Sequence, residues 1–138
     1  MPHADVSDVP LDPVRARNAV LGDADGACVL FEGVVRNHDH GRGVTALSYS
    51  AHPDAVGILT SVVEEVEREF GVTAFAEHRV GDLRVGDVAL LAACASAHRA
   101  EAFRACGELV DRIKVRVPVW MNQVFDDGST EWVGLGDC

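Results

Sequence analysis

The chain has 138 residues, 48% hydrophobic and 25% charged, with 22 acids against 12 bases and a formal net charge of −10. That length and composition suit one well-buried domain and exclude disordered, collagen-like and membrane-spanning classes. The acidic balance excludes a general nucleic-acid or acidic-membrane binder, which carries a basic footprint, so an anionic ligand must be held by a local basic cluster.

Eleven of the twelve bases are arginine, and Lys114 is the only lysine. No stretch approaches the roughly 18 apolar residues of a membrane span, and Met1 to Pro13 has no basic region ahead of an apolar core. A cytoplasmic protein is expected. Cys28, Cys94, Cys106 and Cys138 show no CxxC pair and no zinc-ligand spacing. In apolar runs, reduced cysteines serve as small hydrophobes.

Residues 1–13 hold three of the five prolines together with Asp5, Asp8 and Asp12, and read as an extended leader pairing at a sheet edge. No linker follows, so residues 1–138 are expected to form a single domain. Gly26 to Val35 (GACVLFEGVV) and Val44 to Ala51 (VTALSYSA) read as strands around the polar stretch Asn37 to Gly43, predicting a hairpin with a polar tip. Pro53 and Asp54 open a helix with Ala55, Leu59, Val62, Val63, Val66 and Phe70 on its inner face and Gly71 as the stop. Its acidic outer face reads as solvated.

Val72 to Val80 alternates as a strand. The two RVGD segments, Arg79–Asp82 and Arg84–Asp87, mark closely spaced bends. Val88 to Ser96 is an almost continuous apolar run, predicting a strand buried on both faces. Ser96 is the expected cap of a second helix whose inner stripe is Ala102, Phe103, Cys106, Leu109, Val110 and Ile113, ended by Pro118. Val119 to Phe125, the turn Asp126-Asp127-Gly128 and Glu131 to Gly134 complete a β-hairpin. Strand pairs without regular βαβ alternation predict an α+β fold with two main helices.

Five of the twelve bases (Arg99, Arg104, Arg112, Lys114 and Arg116) fall in one stretch with three acids. This stretch is either an anion site or a solvated helix face paired to Glu101, Glu108 and Asp111. Lys114 lies four residues after Val110, at the margin of the buried stripe. Desolvation and neighbouring arginines disfavour an ammonium, the condition under which lysine acts as base or nucleophile. Arg36 ends a strand, and His98-Arg99 stands at a helix start, where free N–H groups also attract anions. His38 and His40 form an HxH pair without a third ligand at convincing spacing, so no metal site is expected. Without a Walker loop, GxGxxG, GxSxG or HExxH motif, nucleotide cofactors and the common hydrolase schemes gain no support.

GACVLFEGVVRNH, LSYSAHP, EHRVGDLRVGD, ASAHRAEAF, IKVRVPVW and DGSTEWVG, in this order and spacing, resemble the catalytic (large) subunit family of molybdopterin synthase, the MoaE family. The resemblance runs from about Gly26 to Gly134. It implies an α/β hammerhead core with an additional antiparallel β subdomain. The implied activity converts cyclic pyranopterin monophosphate to molybdopterin in molybdenum cofactor biosynthesis. Sulfur comes as the C-terminal Gly-Gly thiocarboxylate of a small ubiquitin-like carrier, and a central homodimer binds two carriers in a heterotetramer. The ending Leu135-Gly136-Asp137-Cys138 is not that of the carrier.

The family's essential lysine falls on Lys114. Its substrate pocket falls on Val34, Val35, Arg36, His98, Arg99, Met121, Asn122 and Gln123. The family usually has a second lysine where Met121 stands, often with a glutamate at the position of Gln123. A non-catalytic or attenuated paralogue that still binds the carrier is therefore an alternative expectation, and a thiol enzyme using Cys138 is a third. If Arg99 and Lys114 share one helix, fifteen residues place them roughly 22 Å apart. His98 and Arg99 are then expected to complete the pocket of a neighbouring subunit.

Overall fold

The computed structural model describes residues 3–134; Cys138 and the reading placed on it lie outside the described residues. In chain order the elements are β1 (Ala4–Ser7), α1 (Pro13–Val20), β2 (Ala27–Val34), β3 (His38–Asp39), β4 (Arg42–Ala51), α2 (Ala55–Phe70), β5 (Thr73–Arg79), β6 (Gly81–Arg84), β7 (Val88–Ser96), α3 (Arg99–Arg116), β8 (Val119–Phe125) and β9 (Thr130–Val133). The fold is α+β, as expected. One sheet has the order β1-β5-β7-β2; a second has β3-β4-β8-β9, with β6 also paired to β4.

In β7 every residue after Val88 is buried, because both faces of the first sheet are covered. Leu90, Ala92 and Cys94 point into the main core with α2 and α3, whereas Leu91, Ala93 and Ala95 meet Leu11, Ala16 and Val20 from the α1 region. The small residues let α3 approach closely: the Cys106 thiol reaches the Ala92 carbonyl at 3.8 Å. The neighbouring Cys106 sulfur and burial both push the Cys94 thiol up, so it stays protonated.

The leader supplies β1, which pairs parallel to β5. Beyond it lies α1, a helix absent from the sequence expectation, with Pro13 in its first turn and the Asp12 carboxylate accepting from the Val14 N–H at 3.0 Å. In α2, Ala55, Leu59, Val62, Val63 and Val66 are buried, and burying each Leu or Val contributes about 1.5–3 kcal/mol. Gly71 ends it in the left-handed conformation at φ 66°. Pro118 disfavours a helical conformation at Val117, which is extended and closes α3.

Three local expectations are corrected. β2 and β4 do not form a hairpin: β2 pairs with β7 and β4 with β6 and β8, because the chain crosses between sheets after Val34. The polar tip forms its own small hairpin, β3–β4. Ser96 is the last residue of β7, and His98 occupies the N-cap of α3; the Ser96 hydroxyl donates to the His98 carbonyl instead. Phe103 is 63% exposed, since at about 100° per residue it falls on the flank beside the buried Ala102, leaving Ala102, Ala105, Cys106, Leu109 and Ile113 as the stripe. The two bends expected at the RVGD segments are present at Gly81 and Gly86, both with φ 94°, with the short strand β6 between them.

Candidate active site

A cleft of about 230 Å³ lies where the two sheets meet the last turn of α3. The end of β2 contributes Gly33 and Val34, followed by Val35 and Arg36. Opposite them stand Leu47 and Tyr49 of β4 and Met121 and Gln123 of β8, the inward positions of strands with a two-residue period. Lys114 of α3 and Asp39 of β3 complete the polar lining. The β2–β7 register shifts between Gly33 and Val34, an irregularity of the kind that re-aims side chains beside functional sites. A Cβ at Gly33 would stand 3.2 Å from the Phe31 ring and 3.4 Å from Leu90 Cβ.

The basic stretch of α3 divides into distinct environments. Arg112, with its side chain only 18% exposed, reaches Glu65 and Glu69 of α2 at 2.7 Å each and Glu108 at 2.9 Å. Arg116 holds Glu65 at 2.9 Å and Arg104 meets Glu101 at 3.5 Å. Most of the stretch is thus a paired helix face, and the acidic face of α2 is partly engaged rather than simply solvated. Lys114 alone of the five bases lines the cleft. It stands in the last turn, where the helix dipole favours a cation.

Behind the cleft wall lies His78, 5% exposed, its ring edge-on to Tyr49 with centroids 4.9 Å apart. Its Nδ1 faces the Arg79 carbonyl at 2.8 Å; a carbonyl only accepts, so Nδ1 carries the proton. Burial pushes its pKa down to about 4, the Arg79 bond opposes that shift and the charge of Lys114 adds to it. His78 is therefore neutral near pH 7. At the cleft mouth, Gln123 stands where the resembling family often has glutamate. Its Nε2 donates to Asp39 Oδ2 at 2.8 Å, while Arg36 donates to Asp39 Oδ1 at 3.1 Å. The Gln123 bond above all, then His40 and Arg36, holds the Asp39 carboxyl below the usual carboxylate range.

Val34, Val35, Arg36, Lys114, Met121 and Gln123 thus come together, while Asn122 does not line the cleft because its side chain leaves the opposite face of β8. His98 and Arg99 are exposed at the far end of α3. The helix is continuous over Arg99–Arg116, so roughly 22 Å separates Arg99 from Lys114. Asp39, Tyr49 and His78 were missed by the sequence reading. Tyr49 shares the two-residue period of Leu47 and was findable, but Asp39 lay in a polar loop with no signal. Among the described residues no cluster of three or more His, Cys, Asp or Glu could hold a metal ion, and no helix is long and apolar enough to cross a membrane.

A family model described as MoaE protein matches residues 6–116. The chain is 37% identical over 135 residues to molybdopterin synthase catalytic subunit 1 of Mycobacterium tuberculosis, covering 96% of this chain and 91% of that protein. The crystal structure of molybdopterin synthase from Staphylococcus aureus superposes with a TM-score of 0.91 at 31% identity, covering 97% of this chain and 98% of that one. A complex of subunits 1 and 2 of molybdopterin-converting factor from Helicobacter pylori shares the fold, at a TM-score of 0.62 and 20% identity over 80% of this chain and 72% of that one.

Proposed function

This chain belongs to the MoaE family, and from that premise we propose that it is the catalytic subunit of a molybdopterin synthase. In this reading it is a sulfurtransferase of the cytoplasm. It moves sulfur from the Gly-Gly thiocarboxylate of a small ubiquitin-like carrier to cyclic pyranopterin monophosphate, building the dithiolene. The observation that carries the reading is the meeting of Lys114 with Arg36 in one cleft between the sheets.

The two cations have separate work. Arg36, with its side chain 67% exposed at the mouth, presents a planar fork suited to phosphate oxygens. Lys114 lies deeper, where it serves either as acid–base group during phosphate-ring opening and sulfur attack or as transient acyl acceptor for the carrier tail. Arginine can do neither, because it does not release its proton. Val34, Val35, Met121 and Gln123 form the substrate-binding surface, and rate enhancement comes chiefly from positioning and electrostatics.

A complete site needs two copies of the chain. Arg99 and Phe103 lie one turn apart on the exposed end of α3, about 22 and 16 Å along the helix from Lys114 of their own cleft. In the homodimer His98 and Arg99 reach the neighbour's cleft and add cations for the phosphate, with one carrier at each end of the heterotetramer.

Reconstitution with a thiocarboxylated Gly-Gly carrier and cyclic pyranopterin monophosphate tests the reading. Dithiolene product is expected, and its absence with authentic components overturns the assignment. A carrier–Lys114 amide trapped during turnover identifies the acyl-acceptor role; turnover without it leaves acid–base work to Lys114.

A further inference from the structure

Asp39 is the one carboxylate lining the cleft among the described residues, and the chemistry above does not use it. The turn at the tip of β3–β4 places it there. Asp39 pairs with Arg42 across the two-residue loop His40-Gly41, and both loop residues have positive φ, 50° and 79°, the twist that suits the tightest hairpins. The Asp39 side chain is only 17% exposed, against 67% for Arg36 and 86% for His40.

Its two oxygens have different partners. Oδ2 accepts from Gln123, itself 3% exposed, whose amide must present its NH2 because an ionised carboxylate only accepts. Oδ1 accepts from Arg36 and lies 3.7 Å from His40 Nε2. Lys114 is the other charged group lining the cleft. The buried amide fixes the carboxylate, and the fixed carboxylate then meets the exposed arginine. An exposed ion pair of this kind is worth little by itself, so the guanidinium is readily surrendered to the oxyanion of a phosphate ester, which can accept from both arms of its fork.

We propose that Asp39 is a positioning residue: anchored through one oxygen by Gln123, it uses the other to hold Arg36 over the cleft mouth until an oxyanion takes the guanidinium. The proposal rests on the reading of the cleft as a phosphate-ester site. It also fixes the polarity of the pair. A glutamate at 123 would set two acceptors face to face, and one of them would have to take up a proton or swing away.

One measurement needs no substrate. By low-temperature NMR on the full chain, the Arg36 Nη–H signal, from the nitrogen that donates to Asp39, is expected to be sharp and protected in the wild type and to broaden in Asp39→Asn. The Asp39 carboxyl is expected to titrate below the ordinary range in the wild type and higher in Gln123→Glu. An Arg36 signal indifferent to Asp39→Asn, or an ordinary Asp39 titration in the wild type, overturns the proposal.

The second measurement is kinetic, with the thiocarboxylated carrier. Asp39→Asn and Arg36→Ala are each expected to raise KM for cyclic pyranopterin monophosphate about tenfold with kcat within about twofold. Combined, they should do little more than either alone, and additive losses overturn the proposal. Gln123→Glu should show a similar KM defect. Adding Asp39→Asn restores a donor opposite an acceptor and should bring KM back to within about threefold of the wild type; no recovery overturns the pairing. If the NMR signals behave as stated but the wild type neither binds the pterin nor turns over, the functional reading fails and the positioning of Arg36 by Asp39 stands.

Discussion

The two ends of α3 carry similar side chains and have opposite fates. At its start His98 caps the helix without a side-chain hydrogen bond, Arg99 is exposed and Phe103 is 63% exposed. At its end Arg112 and Arg116 are locked to glutamates of α2, and Lys114 lines the cleft. What differs is the packing around each end: the last turns lie against α2, whose glutamates take Arg112 and Arg116, and bring Lys114 to the cleft, whereas the first turn buries Ala102 and leaves His98, Arg99 and Phe103 exposed. A run of bases in sequence is therefore not one site. It is a paired face, one cleft residue and one exposed end.

The sharpest way to break this contrast is Lys114→Ala. Loss of dithiolene formation by at least about a thousandfold is expected, with dimerisation intact by light scattering; near-normal turnover would refute the role of Lys114. Mixing Arg99→Ala chains with Lys114→Ala chains tests the opposite end. In a symmetric shared-site dimer one cleft of each heterodimer receives both changes and the other neither, so purified heterodimers should recover about half of wild-type activity. Activity no higher than that of the parent variants would confine each site to one chain.

The environment of Lys114 also predicts a pH dependence. His78 is neutral when folded, with its pKa lowered from an ordinary 6.5 to about 4. The unfolded chain therefore binds the extra proton between those values. Stability is fully present above pH 6.5 and falls by about 3 kcal/mol as the pH drops to 4. Urea unfolding across that window should show this slope, and His78→Asn should flatten it. Lys114→Met should raise the His78 pKa in an NMR titration, because it removes a neighbouring positive charge.

Smaller effects sharpen the rest. Arg112→Ala leaves Glu65, Glu69 and Glu108 without their shared cation, though Glu65 keeps Arg116. A loss of about 1–2 kcal/mol by urea unfolding is expected, with turnover per folded dimer retained. Met121→Lys puts an amine into the cleft at a position only 7% exposed. Since Lys114 is expected to suffice, turnover should change less than about tenfold. A rise from near zero would instead favour a chain that binds the carrier but has lost catalysis.

The legible elements were those with local punctuation. α2 shows five buried positions at helical spacing and a glycine stop, and β8 and β9 flank an Asp-Asp-Gly turn. α1 went unseen because eight residues with two buried positions are too short to display a period. β2 and β4 looked like a hairpin because an apolar run reads the same whichever sheet receives it. Phe103 was placed on the stripe of α3 with Ala102, but it lies about 100° round the helix from that buried residue and faces out. In the site, Lys114, Arg36 and Met121 were legible through resemblance and position, while Asp39 looked like any solvated loop acid.

The amino-acid sequence by itself determined the α+β class, the main helices and strands, and the presence of a single lysine, because periodicity, turn chemistry and residue type are local properties. Only the tertiary structure decided which carboxylates occupy Arg112 and Arg116, which end of α3 meets the cleft, and that Asp39 answers Gln123 across 84 positions of sequence. Those pairings depend on how sheets and helices pack across long separations, where one inward or outward facing of a strand changes every partner.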